Sequence, residues 1–236
     1  MCGRYRTKNS DPEDWRSRFG AFGQSIADTL GQLEVRPTDA IAVVHETERG
    51  ERVAEAVRWG VQPPGSKRPL INARSDKLLQ QTLWSRSAER PDRRVLIPAD
   101  GWYEWLSAED PKVKKQAFLH TVDGGEPFAF AGLLGYAIVK GEKVPAATII
   151  TTDASGAAAQ IHDRMPVVLD GPEAEEAWLT DPDAASVIDA LCVPFPDGRV
   201  QTEAVELPKA AAKPKQPAEP KQPAEPTLFD EAPGPG

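Results

Sequence analysis

Apolar residues along this chain gather in short runs rich in Val, Ile and aromatics, broken by clusters of Gly, Pro and Asp. Runs at 41–44, 53–59, 94–97, 101–106, 117–122, 128–139, 146–151, 167–169 and 199–205 therefore predict strands. Helical signals are fewer. Ser10-Asp11-Pro12 predicts a helix start that sets Trp15 and Phe19 on one face, and good helix formers run from Ser75 to Arg86 and from Pro172 to Leu179. Strands and helices do not alternate regularly, so the pattern predicts a mostly antiparallel α+β fold with few helices rather than a doubly wound sheet.

The pattern stops near Leu207. Residues 207–236 hold eight prolines and six alanines, with Lys215–Pro220 repeated as Lys221–Pro226. Proline at every third residue sustains neither a helix nor a ladder, so this segment predicts a solvated, disordered tail. The expected organisation is one domain over 1–206 and a tail over 207–236. That domain is long enough for a sizeable core.

Composition narrows the class. The 236 residues are 40% apolar and 27% charged, the balance of a soluble globular protein. No run approaches the roughly 20 apolar residues of a membrane span. The first residues have no apolar core, which argues against a secretory signal. Two cysteines far apart do not make a disulfide scaffold. Three histidines and no metal-spaced Cys/His set predict no metal and no cofactor.

Net charge of −8 argues at first against nucleic acid, but it is unevenly spread. Residues 67–94 hold eight basic and three acidic residues, 1–18 net +2, the tail is neutral, and the remainder nets −15. The basic window is either a phosphate-binding face or the solvated face of a helix.

Four segments could carry chemistry. Removal of Met1 would leave Cys2 with an α-amine and a thiol on adjacent carbons, titrating near pH 7.7–8.0 and 8.5 in model compounds. An amine condenses with an aldehyde, and a thiol so placed can then close a five-membered thiazolidine. Otherwise Cys2 is merely a small residue near a terminus. In Gly101-Trp102-Tyr103-Glu104-Trp105, a strand would enclose Glu104 among aromatics and raise its pKa for acid–base work, unless it faces solvent on an edge. In Ile161-His162-Asp163-Arg164-Met165-Pro166, His162 is an acid–base candidate or a loop histidine beside an Asp163–Arg164 surface pair. In Ile71-Asn72-Ala73-Arg74, Asn72 can orient an amine or a sugar oxygen, or cap a helix, and Arg74 offers a phosphate fork. Cys192 reads as a buried structural thiol.

Taken together and in this order, Met1-Cys2-Gly3-Arg4-Tyr5, Asn72-Ala73-Arg74, Gly101–Trp105 and His162–Pro166 resemble the SOS response-associated peptidase (SRAP) family over residues 1–207. The resemblance implies a compact domain with a β-rich, barrel-like core. It implies a sensor of abasic sites in single-stranded DNA that captures them covalently through Cys2 after Met1 removal. Catalytic roles would fall to Cys2, Asn72, Glu104 and His162. Arg4 and Arg74 would hold phosphates, Trp59 would stack on a base, and Trp105 would join the DNA-binding set. Autoproteolytic release of the residue before Cys2 and strand cleavage through the Schiff base are further implied outcomes. The segment after Trp59, Gly60-Val61-Gln62-Pro63-Pro64, lacks an aromatic expected there.

The expected partner is single-stranded DNA with abasic sites, bound by a monomer, with no membrane. Thr227-Leu228-Phe229-Asp230 loosely resembles a peptide that docks on the replication clamp. The expected location is the cytoplasm, at the nucleoid when engaged. Two other readings compete. One is a thiol peptidase acting in trans, with Cys2 as nucleophile and His162 as base. The other is a non-covalent single-stranded DNA-binding module.

Overall fold

The computed structural model describes residues 2–19, 24–106 and 115–207. In chain order the described elements are β1 (Arg4–Arg6), α1 (Pro12–Phe19), α2 (Gln24–Ala27), β2 (Ala40–Glu46), β3 (Arg52–Trp59), β4 (Asn72–Arg74), α3 (Thr82–Ala88), β5 (Arg94–Ala99) and β6 (Gly101–Leu106). They continue with β7 (Gln116–Val122), β8 (Phe128–Val139), β9 (Glu142–Asp153), α4 (Gly156–Ala159), β10 (Arg164–Pro166), β11 (Val168–Leu169), α5 (Gly171–Thr180), α6 (Ala184–Leu191) and β12 (Val200–Val205). The expected tail and its Thr227–Asp230 peptide lie outside the described residues, and residues 1–206 separate from 207–236 as their own compact unit.

Strands β9, β3, β2, β5 and β8 pair in that order, and β8 pairs back onto β9. This closes a five-stranded barrel, to which β10 and β4 add on β9 and β11 adds on β8. The fold is thus α+β with a barrel-like core. Most pairings are antiparallel, but β3 and β4 both run parallel to β9, which the sequence pattern did not anticipate. A second sheet has the order β1-β6-β7-β12.

Strands β2, β5 and the first half of β8 are buried on both faces, so their alternate residues serve two cores. Ile41, Val43, Val95, Ile97, Phe128 and Phe130 pack with Trp102 and Val122 of the second sheet. Their neighbours Ala42, Val44, Leu96, Ala129 and Ala131 pack with Trp178 and Val187 of the helices. The β8–β9 hairpin turns on Lys140-Gly141, both with positive φ (53° and 84°), which suits the right-handed twist of the flanking strands.

Helix α1 begins at Pro12 as its turn residues predict, and Trp15 is buried. The helix expected over 75–86 instead splits into a 3₁₀ turn at Ser75–Lys77 and α3 at 82–88. Leu78 and Trp84 both enter the same core. Six residues apart on one helix they would point about 120° from each other, so one face of a continuous helix would bury both only at its margins.

Candidate functional site

Strand β1 carries Cys2 into the molecule. It is held by β6, with Arg4 opposite Tyr103 and Tyr5 opposite Trp102, and by a reciprocal backbone pair between Tyr5 and Val35. Its far end is locked by Asp100, a fully buried carboxylate at the β5–β6 corner. Asp100 accepts from the Arg6 guanidinium and, at 2.6 Å, from the Asn9 amide. An unpaired carboxylate there would carry a large desolvation cost, so the pair fixes the register of β1. Sequence reading missed it, because nothing local distinguishes Asp100 from a turn residue.

Cys2 is fully buried, and its thiol donates to the Arg4 carbonyl at 3.7 Å. Burial, assisted by the Glu104 carboxylate, pushes the thiol far above its ordinary range. Asn72 reaches it from β4, with Nδ2 donating to the Cys2 carbonyl at 2.8 Å. Asn72 therefore caps no helix. Its Oδ1 is buried without a hydrogen-bond partner among the described residues.

Glu104 lies at the middle of the second sheet, since β6 is flanked by β1 and β7. It is 4% exposed and is not a solvent-facing edge residue. Burial raises its carboxyl pKa, and the Asp163 carboxylate adds to the effect. His162 follows α4, its Nδ1 lying 2.7 Å from Asp163 Oδ1 and 3.0 Å from the Arg164 amide. These contacts suit opposite states of one nitrogen: protonated it donates to Asp163, bare it accepts from the Arg164 N–H. Burial lowers the imidazole pKa. Contacts and electrostatics thus link Asn72 to Cys2, Cys2 to Glu104, Glu104 to Asp163, and Asp163 to His162.

The residues expected to meet DNA are placed less uniformly. Arg4 pairs with Glu34 at 2.6 Å and stacks its guanidinium 4.9 Å from the Trp105 ring centre. Arg74 makes two parallel hydrogen bonds to Asp76, each 3.0 Å. Arg164 is nearly buried and pairs with Asp153 and the Thr151 carbonyl, so the Asp163–Arg164 surface pair does not form. Trp59 is fully buried, edge-on to Tyr5 at 5.2 Å, and its Nε1 donates to the Ile71 carbonyl at 3.0 Å. A ring without exposed surface cannot stack on a base; Trp59 instead supports the strand that presents Asn72.

The basic window is also redistributed. Arg94 is fully buried, over the Trp178 ring and bonded to the Asp181 carbonyl. Arg90 is shared between Glu48 and Asp92. Cys192 is buried and unpaired, its thiol pushed up to about 12 by burial. Among the described residues no group of three or more His, Cys, Asp or Glu could hold a metal ion, and no helix is long and apolar enough to cross a membrane.

The family model for SOS response associated peptidase (SRAP) matches residues 1–208. The chain belongs to the SOS response-associated peptidase family. It is 35% identical over 195 residues to the abasic site processing protein YoqW of Bacillus subtilis, covering 78% of this chain and 84% of that one. Identity to the abasic site processing protein YedK of Escherichia coli is 30% over 208 residues, 82% of this chain and 88% of that one. Among solved structures, a phage-related protein of Bordetella bronchiseptica superposes with a TM-score of 0.70 at 28% identity, covering 87% of this chain and 95% of that one. Within this SRAP domain, Cys2, Asn72 and Glu104 arrive on three separate strands or strand leads, from β1, β4 and β6.

Proposed function

We propose that this protein processes abasic sites in single-stranded DNA by capturing them as a thiazolidine on Cys2 after Met1 is removed. The observation that carries the reading is the position of Cys2, held by the Asn72 amide at 2.8 Å with its thiol beside the buried Glu104 carboxyl. Membership of a family whose relatives are named for abasic site processing supports the substrate class.

The chemistry follows from those groups. The free Cys2 amine attacks the C1′ aldehyde of the ring-opened sugar to give a carbinolamine. Glu104, whose carboxyl pKa is raised by burial, donates a proton to the departing hydroxyl, and water leaves. Nitrogen returns a proton to the carboxylate as the imine forms. The thiol then adds to the imine carbon, its proton passing to nitrogen as the ring closes. One water is released overall. Burial keeps the resting thiol protonated, so its proton has to leave as sulfur attacks, and nitrogen receives it in the closing step. Asn72 orients the Cys2 backbone, and His162 with Asp163 moves protons at the rim, including those needed to reopen the ring.

The same observation weighs against a trans-acting thiol peptidase. Such an enzyme needs a depressed thiol pKa and an adjacent imidazole. Here the thiol is raised, and its hydrogen bond goes to the Arg4 carbonyl. The peptidase label then refers to self-processing that frees Cys2.

The test is incubation with an oligonucleotide bearing one abasic site, followed by denaturing electrophoresis. A shifted band is expected for the parent and none for Cys2→Ala, with Met1 absent by mass spectrometry. Equal crosslinking by Cys2→Ala would sink the mechanism. Reversible, equal binding of intact and abasic strands would favour a non-covalent module.

A further inference from the structure

The arginines around Cys2 are nearly all matched by carboxylates: Arg4 by Glu34, Arg74 by Asp76 and Arg164 by Asp153. A polyanion gains little from a cation already neutralised. Unmatched cations lie further along the barrel. Lys67, Arg68, Arg86 and Lys143 are exposed and have no ion-pair partner among the described residues.

Two of them, Arg86 and Lys143, line a groove of about 470 Å³ together with Arg90 and Arg93. Among the described residues no carboxylate lines this groove. Its apolar wall includes Leu83, Trp84 and Tyr136, and the Lys143 ammonium sits 4.3 Å above the Tyr136 ring centre. Asp92, which holds both Arg90 and Arg93, lines an adjoining cavity with Glu48 and Glu55, and that cavity shares Arg93, Tyr136 and Lys143 with the groove. The groove therefore offers positive charge and apolar surface to an anionic chain.

Its place in the fold indicates which chain. Asn72 lies beside Ile149 on β9, and Tyr136 lies beside Pro145 on the same strand. Four strand residues are about 13 Å, which a stacked nucleic-acid strand covers in about four nucleotides. Lys67 and Arg68 belong to the loop between Val61, which lines the groove, and Asn72.

We propose that the Arg86–Lys143 groove binds the phosphate backbone of the DNA strand flanking the lesion, several nucleotides away from Cys2. The proposal rests on the abasic-site reading above. The groove then supplies affinity that the carboxylate-matched arginines at Cys2 do not, and it makes capture depend on flank length.

The experiment uses the full chain and two fluorescent single-stranded oligonucleotides, each with one abasic site, flanked by two or by ten nucleotides on each side. Intact versions of both serve in anisotropy titrations at several salt concentrations, with the parent and Arg86→Gln/Lys143→Gln. The parent is expected to bind the long strand more tightly and with a steeper salt dependence than the short one. Loss of two phosphate contacts should reduce the long-strand slope of log K against log salt by about 1.4 in the variant. The short abasic strand, which ends before the groove, reports on folding and on the Cys2 site through crosslinking. Identical long-strand slopes for parent and variant would overturn the proposal and leave the groove to a small anion or an acidic protein segment. If the slope falls as expected but no strand is crosslinked by the parent, the groove stands as a DNA site and the thiazolidine reading fails.

Discussion

The Asn72 side-chain amide holds the Cys2 carbonyl at 2.8 Å across 70 residues of sequence. That bond ties the chain's second residue to a three-residue strand paired with β9, and it orients the backbone from which both the amine and the thiol of Cys2 project. Asn72→Ala removes the donor and leaves a buried carbonyl unsatisfied. A hydrogen bond of this kind is worth about 1 kcal/mol, so crosslinking should slow by roughly five- to tenfold. Single-turnover kinetics on an abasic oligonucleotide measure it; an unchanged rate would remove Asn72 from the mechanism.

Glu104→Gln should separate stability from function. Burial holds the folded pKa of Glu104 above its ordinary value of 4.5. The folded state then binds more protons than the unfolded state between those two values, so this group's contribution to stability is full below pH 4.5 and is lost as pH rises through the folded pKa. The Tm of the variant relative to the parent should therefore be higher at pH 7.5 than at pH 4, where both states of the parent are protonated. About 2–4 °C is expected per kcal/mol in a domain of this size. Crosslinking by the same variant should be strongly slowed. Thermal melts at the two pH values, with kinetics at 7.5, check both.

His120 is a second, oppositely signed pH element. It is buried in stacked contact with Trp102, its Nδ1 is 2.8 Å from Thr202 Oγ1, and burial lowers its pKa to about 4. Between pH 6.5 and about 4 the unfolded state binds the extra proton, so stability falls as pH drops through that window. One proton contributes at most about 1.4 kcal/mol per pH unit. Urea titrations from pH 7 to 4 should show a shallower decline for His120→Gln; parallel curves would contradict this.

Trp59 should behave as a core residue. Trp59→Ala is expected to cost about 3–5 kcal/mol through the cavity it leaves. Trp59→Phe, which loses the bond to the Ile71 carbonyl, should cost nearer 1 kcal/mol and leave affinity for intact single strands unchanged. A selective loss of DNA affinity in the Phe variant would mean that the ring leaves the core on binding.

Asp76 competes with phosphate for Arg74. Asp76→Asn keeps the side-chain shape but weakens the bidentate bridge. Affinity for intact single strands at low salt should rise, and the salt slope should steepen by about 0.7, the value of one added contact. Anisotropy titrations against the parent decide it.

Most strands were legible because their cause is local. The Val-, Ile- and aromatic-rich runs at 41–44, 53–59 and 101–106 fall within β2, β3 and β6, bounded by turns whose residues set them. Strands β1, β4 and β10 were missed, since three residues carry no periodic signal and form only because a longer strand lies alongside. The helix expected at 75–86 broke for a related reason: Leu78 and Trp84 had to share one core.

The sequence alone determined the β-rich α+β class and the set of residue types at 2, 72, 104 and 162, because short-range sterics and side-chain chemistry depend on neighbours in the chain. Tertiary structure decided which of those residues meet, that Trp59 is interior, and which arginines are spent on carboxylates. Those outcomes depend on strand register between segments up to 100 residues apart, and burial and charge pairing take their energies from such long-range neighbours.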